Sequence, residues 1–136
     1  MTSFVKSKTF DPRYAIELIS IAEADLAAAY DLWHAKTNRK ENIFLMAQQG
    51  LEKALKAVLC AASRPVPFVH DIAAFVTLVS QVAEPPFGHD LNELTEFATV
   101  RRCYEGWEPF SDEEISAVLE TTKAAIRWCA SQVRVS

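Results

Sequence analysis

Glycine is scarce in this chain, with three residues in 136. None of them builds the Gly-rich loop that cradles a phosphate or the Gly-Ser elbow that presents a nucleophile. Strand-forming segments are scarce too. Ala, Leu and Glu recur through long stretches without the short, turn-punctuated Val/Ile/Thr runs of sheets, so composition points to an all-α fold. Cysteine is limited to Cys60, Cys103 and Cys129, an odd number, far apart and with no CxxC pair. That pattern argues against a disulfide framework and against a zinc site. With no HExxH helix and no acidic metal constellation either, no metal and no cofactor is expected. No window approaches the roughly eighteen apolar residues of a membrane span, and the start MTSFVKSKTFDP lacks the apolar segment of a signal peptide. A cytoplasmic location with no membrane partner is expected. Positive charge is not in excess: the net charge is −4 and the pI about 5.4. The field of the whole molecule repels a phosphate backbone, and any nucleic-acid contact must come from a local basic patch.

What is present is a chain that is 50% apolar, long enough for one domain with a real core and too short for two. Residues 1–136 are read as a single helical domain with residues 1–10 as a loose arm. Asp11-Pro12 offers a cap and a first helical position, and Leu18, Ala22, Leu26, Ala29 and Trp33 follow at helical spacing. This predicts a first helix from about Pro12 to Trp33. A second runs from about Glu41 to Ala62, where Arg64-Pro-Val-Pro67 stops it. A third starts near His70-Asp71 and yields at Glu84-Pro-Pro-Phe-Gly88. Asp90 caps a fourth with Leu91, Leu94 and Phe97, and the capping box Ser111-Asp-Glu-Glu114 opens a fifth with Ile115, Val118, Leu119, Thr122, Ile126, Cys129 and Val133 on one face. Short links between such helices favour an up-and-down antiparallel bundle of four to five helices.

The second helix carries the polar residues that need explaining. On a wheel of about 100° per residue, Phe44, Ala47, Leu51, Leu55, Val58 and Leu59 form an apolar stripe, and Gln48 falls inside it. Gln48 is therefore predicted buried and bonded to a specific partner, because an unpaired buried amide costs about 1–3 kcal/mol. Gly50, Ala54, Ala57 and Ala61 make a face that lets another helix approach closely. The remaining strip holds Gln49, Glu52, Lys53 and Lys56. Glu52 and Lys56 form an i,i+4 pair in the favourable order, which is a surface brace or part of a site. Arg101 and Arg102 are the strongest local positive feature. They join Lys53 and Lys56 in an anion-binding patch or else serve a helix C-terminus. Asp71 suits a helix cap, and His70 beside it is a capping, packing or ligand-contacting residue.

Taken together, Ala24-Asp25-Leu26 with Ala28, Phe44, the run Ala47-Gln48-Gln49 followed by Glu52-Lys53-Ala54 and Lys56-Ala57, His70-Asp71-Ile72 and an arginine late in the fourth helix resemble the HEPN family. These are small helical proteins also described as nucleotidyltransferase substrate-binding domains. The likeness spans about Ala24 to Trp128. It implies a helical bundle, commonly a homodimer, often working with a minimal nucleotidyltransferase partner in a complex or toxin–antitoxin pair. It also implies that His70 and Asp71 border the same groove as the polar strip. The ribonuclease branch is marked by an arginine and a histidine four to six residues apart at the start of the last long helix. Here Arg101-Arg102 is followed by Cys-Tyr-Glu-Gly-Trp-Glu-Pro-Phe110, with no histidine. The non-catalytic branch carries Arg-Tyr-Pro, against Arg102-Cys103-Tyr104 in this chain. Arg64 and His70 match the ribonuclease spacing, but in a loop where the family does not place it.

Histidine is the usual proton carrier near neutral pH, so no residue is assigned a catalytic role. The expected function is a non-catalytic binding module for a nucleotide or RNA-like ligand, or for a nucleotidyltransferase partner. Gln49, Lys53, Lys56, His70, Arg101 and Arg102 would be the ligand-binding residues, and Gln48, Glu52 and Asp71 the structural polar ones. The alternatives are a ribonuclease toxin with non-standard catalytic residues and a purely structural dimerising protein.

Overall fold

The computed structural model describes residues 6–86 and 110–135. Within them the chain is an all-α bundle of helices α1 (Tyr14–His34), α2 (Glu41–Ala61), α3 (Ile72–Ser80) and α4 (Asp112–Val135), joined by the short strands β1 (Ser7–Lys8) and β2 (Val66–Pro67). The helix expected from Asp90 lies outside the described residues. Among those described, no helix is long and apolar enough to cross a membrane.

Local chemistry sets the helix ends. At the start of α1, the amides of Tyr14 and Ala15 bond the carbonyls of Asp11 and Pro12 at 2.9 and 3.1 Å, so the turn at Asp11-Pro12 precedes the helix rather than belonging to it. The Asp71 carboxylate accepts from the amides of Ala73 and Ala74 and caps α3. The expected capping box opens α4: the Ser111 amide donates to Glu114 Oε1 at 3.0 Å, and the Glu114 amide donates to Ser111 Oγ at 3.1 Å. Both long helices before it close in the same way. Lys36 and Ser63 adopt left-handed backbone, φ 54° and 56°. Paired bonds then run from Lys36 to Trp33 and Thr37 to Leu32, and from Ser63 to Cys60 and Arg64 to Leu59, the Schellman pattern that satisfies terminal carbonyls.

The packing centres on α2, which touches α1, α3 and α4. Ala54, Leu55, Ala57, Val58, Leu59 and Cys60 are all buried, so only a narrow strip of α2 stays polar. Gly50 marks a close approach. A Cβ there would meet the Ala22 carbonyl oxygen at 2.9 Å, Asp25 Cβ at 3.3 Å and Ile126 Cδ1 at 3.5 Å, so α1, α2 and α4 converge on it. The small-residue face read from the sequence is thus a helix contact. All seven residues assigned to the apolar face of the last helix, Ile115 through Val133, are buried.

Helix directions refine the up-and-down picture. Cys60 Sγ bonds the Asp11 carbonyl and Lys53 meets Asp25, so α1 and α2 are antiparallel. Tyr30 meets Glu120 while Glu23 meets Arg134, so α1 and α4 are antiparallel as well. Glu52 lies by His70, and Lys56 by Phe75, which makes α3 run alongside α2 in the same direction. An extended return segment makes this possible. Val66 precedes Pro67 and is confined to extended backbone. It is buried and pairs with Lys8, as Pro67 does with Ser7, in a two-stranded antiparallel ladder. β1 belongs to the stretch expected as a loose arm, and its pairing with β2 is the one sheet feature among the described residues.

Candidate functional site

The polar strip of α2 divides in two. Lys53 and Lys56 project roughly 60° apart around the helix axis, and each finds its partner on a different neighbour. Lys53 turns to α1, where its ammonium lies 2.6 Å from Asp25 Oδ2. The Asp25 carboxylate is 15% exposed, so this pair bridges α1 and α2 in a largely dry seam beside Gly50. Lys56 turns to α3. Its ammonium is 3.6 Å from Glu52 Oε1 and 5.4 Å from the centre of the Phe75 ring.

Glu52 is the focus of the α3 side. It is 8% exposed, one of two buried polar residues in the described chain along with Thr122. The same Oε1 that faces Lys56 also accepts from His70 Nδ1 at 2.9 Å. The imidazole is otherwise open to solvent, with 87% of its side chain exposed. Holding Nδ1 on a carboxylate fixes the ring and leaves Nε2 pointing outward as the free nitrogen. Gln49 lies on the helical line of Lys56, two turns earlier, and is half-buried. An amide, an ammonium and an oriented imidazole therefore share the edge between α2 and α3.

Two expectations need correction or restriction. Gln48 is half-buried rather than buried, and no hydrogen bond of its side chain is recorded among the described residues. It sits at the border of the apolar stripe, and Glu52, one turn on, is the polar group that goes inside. Of these two residues expected to be structural, Glu52 is the one that bonds across to His70. Arg101 and Arg102 lie outside the described residues, so the patch joining them to the lysines is a sequence reading only. Asp71 is a helix cap, the structural duty expected of it. Asp25 was missed as a site residue. The signal for it was the small-residue face of α2, which brings α1 close enough for a carboxylate there to meet Lys53. Among the described residues, no group of His, Cys, Asp or Glu could hold a metal ion.

Burial decides the two described thiols. Both are fully buried. Burial lifts the Cys129 thiol to about 12 and raises that of Cys60, with the Asp11 charge adding to the latter. Neither is a nucleophile near neutral pH.

A short-linked all-α bundle with a central helix braced by ion pairs defines the class. The HEPN domain family model matches residues 15–132, and the chain belongs to that family. No curated protein and no solved structure matches the chain.

Proposed function

We propose that this chain is a non-catalytic HEPN-type binding module that holds a nucleotide or RNA-like ligand at the edge between α2 and α3. In this reading it works as a cytoplasmic homodimer with a minimal nucleotidyltransferase partner, in a toxin–antitoxin-like pair. One observation carries the ligand reading: the Gln49 amide and the Lys56 ammonium lie along one edge with the His70 imidazole, which the buried Glu52 orients. Arg101 and Arg102 extend the same anion-binding set in sequence. Lys53 takes a bracing role instead, because it is held at 2.6 Å by Asp25 on α1, a closer contact than the 3.6 Å between Lys56 and Glu52. The absence of a histidine at the ribonuclease spacing after Arg102 supports the non-catalytic branch. Titration calorimetry with ATP, GTP and a short RNA tests the reading: binding at millimolar concentrations or tighter is expected, weakened by Lys56→Ala and His70→Ala with the helix content intact. No binding of any of the three leaves only protein partners.

One observation favours a second reading. A carboxylate-held imidazole with a free outward nitrogen is also what a general acid–base catalyst needs, so Glu52 and His70 could serve the ribonuclease alternative. RNA cleavage by the purified protein that disappears in His70→Gln or Arg102→Ala would replace the binding reading with the enzymatic one.

A further inference from the structure

On another side of the bundle, an open groove of about 760 Å³ runs between α1 and α4. Its floor is aliphatic and small, made by Leu26, Ala27, Ile126 and Ala130. Its rim is cationic, with Lys123, Arg127 and Arg134 facing the single carboxylate of Glu23. Arg134 reaches Glu23 at 3.5 Å, and Lys123 lies over the Tyr30 ring at 5.9 Å. Arg127 makes no ion pair among the described residues. The groove thus reverses the sign of a chain whose net charge is −4. From Lys123 to Arg134 it spans about 17 Å, three helical turns. Ile16 lies on the helical line of Glu23 and Tyr30, beyond the Glu23 end of the groove, and is 66% exposed.

We propose that this groove receives an amphipathic helix with acidic flanks from a partner protein. Its apolar side chains, one turn apart, would lie on the Leu26/Ile126 floor, and its carboxylates would meet Arg127 and Lys123. Charge complementarity and length select this occupant. Base stacking, which single-stranded nucleic acids use alongside phosphate contacts, needs open aromatic faces. Tyr30 has given its ring to Lys123 and its hydroxyl to Glu120, at 2.9 Å. The cations are strung along three turns, as carboxylates on successive turns of a facing helix would be. A second copy of the chain, docked by two-fold symmetry through the same patch, would set these cations against each other. The inference stands apart from the ligand reading, since the groove and the α2–α3 edge share no residue.

The test is fluorescence anisotropy on the full chain with two synthetic helical peptides. Both carry the same leucine stripe, one flanked by glutamates and the other by lysines, and a short oligouridylate RNA runs alongside. The glutamate peptide is expected to bind, and the lysine peptide about tenfold or more weakly. Arg127→Glu and Ile16→Asp, both at exposed positions, are each expected to weaken the glutamate peptide by about tenfold while the thermal melt is unchanged. Equal binding of the two peptides, or binding of neither, overturns the proposal. So does RNA binding that Arg127→Glu abolishes, or a dimer that the same variant converts to monomer in sedimentation.

Discussion

At the scale of single residues, the adjacent cations of α2 have different tasks because their neighbours differ. Lys53 faces a half-dry carboxylate on another helix, while Lys56 shares Glu52 with His70. Removing one partner of a sheltered pair leaves the other desolvated and uncompensated. Asp25→Ala is therefore expected to cost about 1–3 kcal/mol in urea denaturation. Lys53→Ala should cost at least as much, since it leaves the more sheltered Asp25 carboxylate uncompensated. In a double-mutant cycle the pair should couple by about 0.5 kcal/mol or more; additive losses would mean that the contact contributes nothing. Glu52→Gln removes the charge that faces Lys56 and leaves His70 only a neutral amide oxygen as acceptor. It is expected to lower stability by about 1–3 kcal/mol, whereas His70→Ala, at an exposed ring, should leave the denaturation midpoint almost unmoved.

At the scale of elements, the close helix approach at Gly50 and the helix ends offer opposite predictions for glycine. Gly50→Ala puts a methyl 2.9 Å from the Ala22 carbonyl oxygen, a backbone atom that cannot step aside without moving α1. Overpacking of this kind costs about 1–3 kcal/mol, against the roughly 1 kcal/mol that alanine gains in helix propensity. A net loss in thermal stability is expected, and a gain would mean that the helices can separate there freely. Lys36 and Ser63 are the reverse case. Each holds left-handed backbone without being glycine. Lys36→Gly and Ser63→Gly are each expected to raise stability by up to about 1 kcal/mol in denaturant melts.

The whole molecule carries an alkaline limit. The Tyr30 phenol is pushed up to about 12, first by burial, then by its hydrogen bond to Glu120 and that carboxylate's charge. The folded state thus favours the protonated phenol. Its contribution is complete below the ordinary tyrosine value of about 10 and disappears as pH climbs to about 12. Stability should fall across that window, and Tyr30→Phe should flatten the fall in alkaline melts; an unchanged slope would assign the loss to other groups, such as the Cys129 thiol.

At this scale too, the limits of reading the chain become physical. The amphipathic faces of α1, α2 and α4 were legible because helical period and burial coincide, and the Ser111 box because its two hydrogen bonds are local. The direction of α3 was not. It depends on the extended return through Val66-Pro67 pairing with Ser7-Lys8, a contact between segments far apart in sequence that carries no periodic signal. The division of the α2 strip was hidden for the same reason, since a wheel orders side chains around one axis but does not name what each meets. Gln48 looked interior by its angle, yet Glu52 took the buried polar position because His70 was there to bond it.

The central claim is that the edge bearing Gln49, Lys56 and His70 binds a phosphate-bearing ligand without cutting it. Calorimetric titration of a short RNA into the wild-type chain and into Lys56→Ala, with the recovered RNA checked for length, tests it most directly. The account predicts heat of binding that is lost or weakened about tenfold in the variant, with the RNA recovered whole. Identical titrations for the two proteins, or shortened RNA, would contradict it.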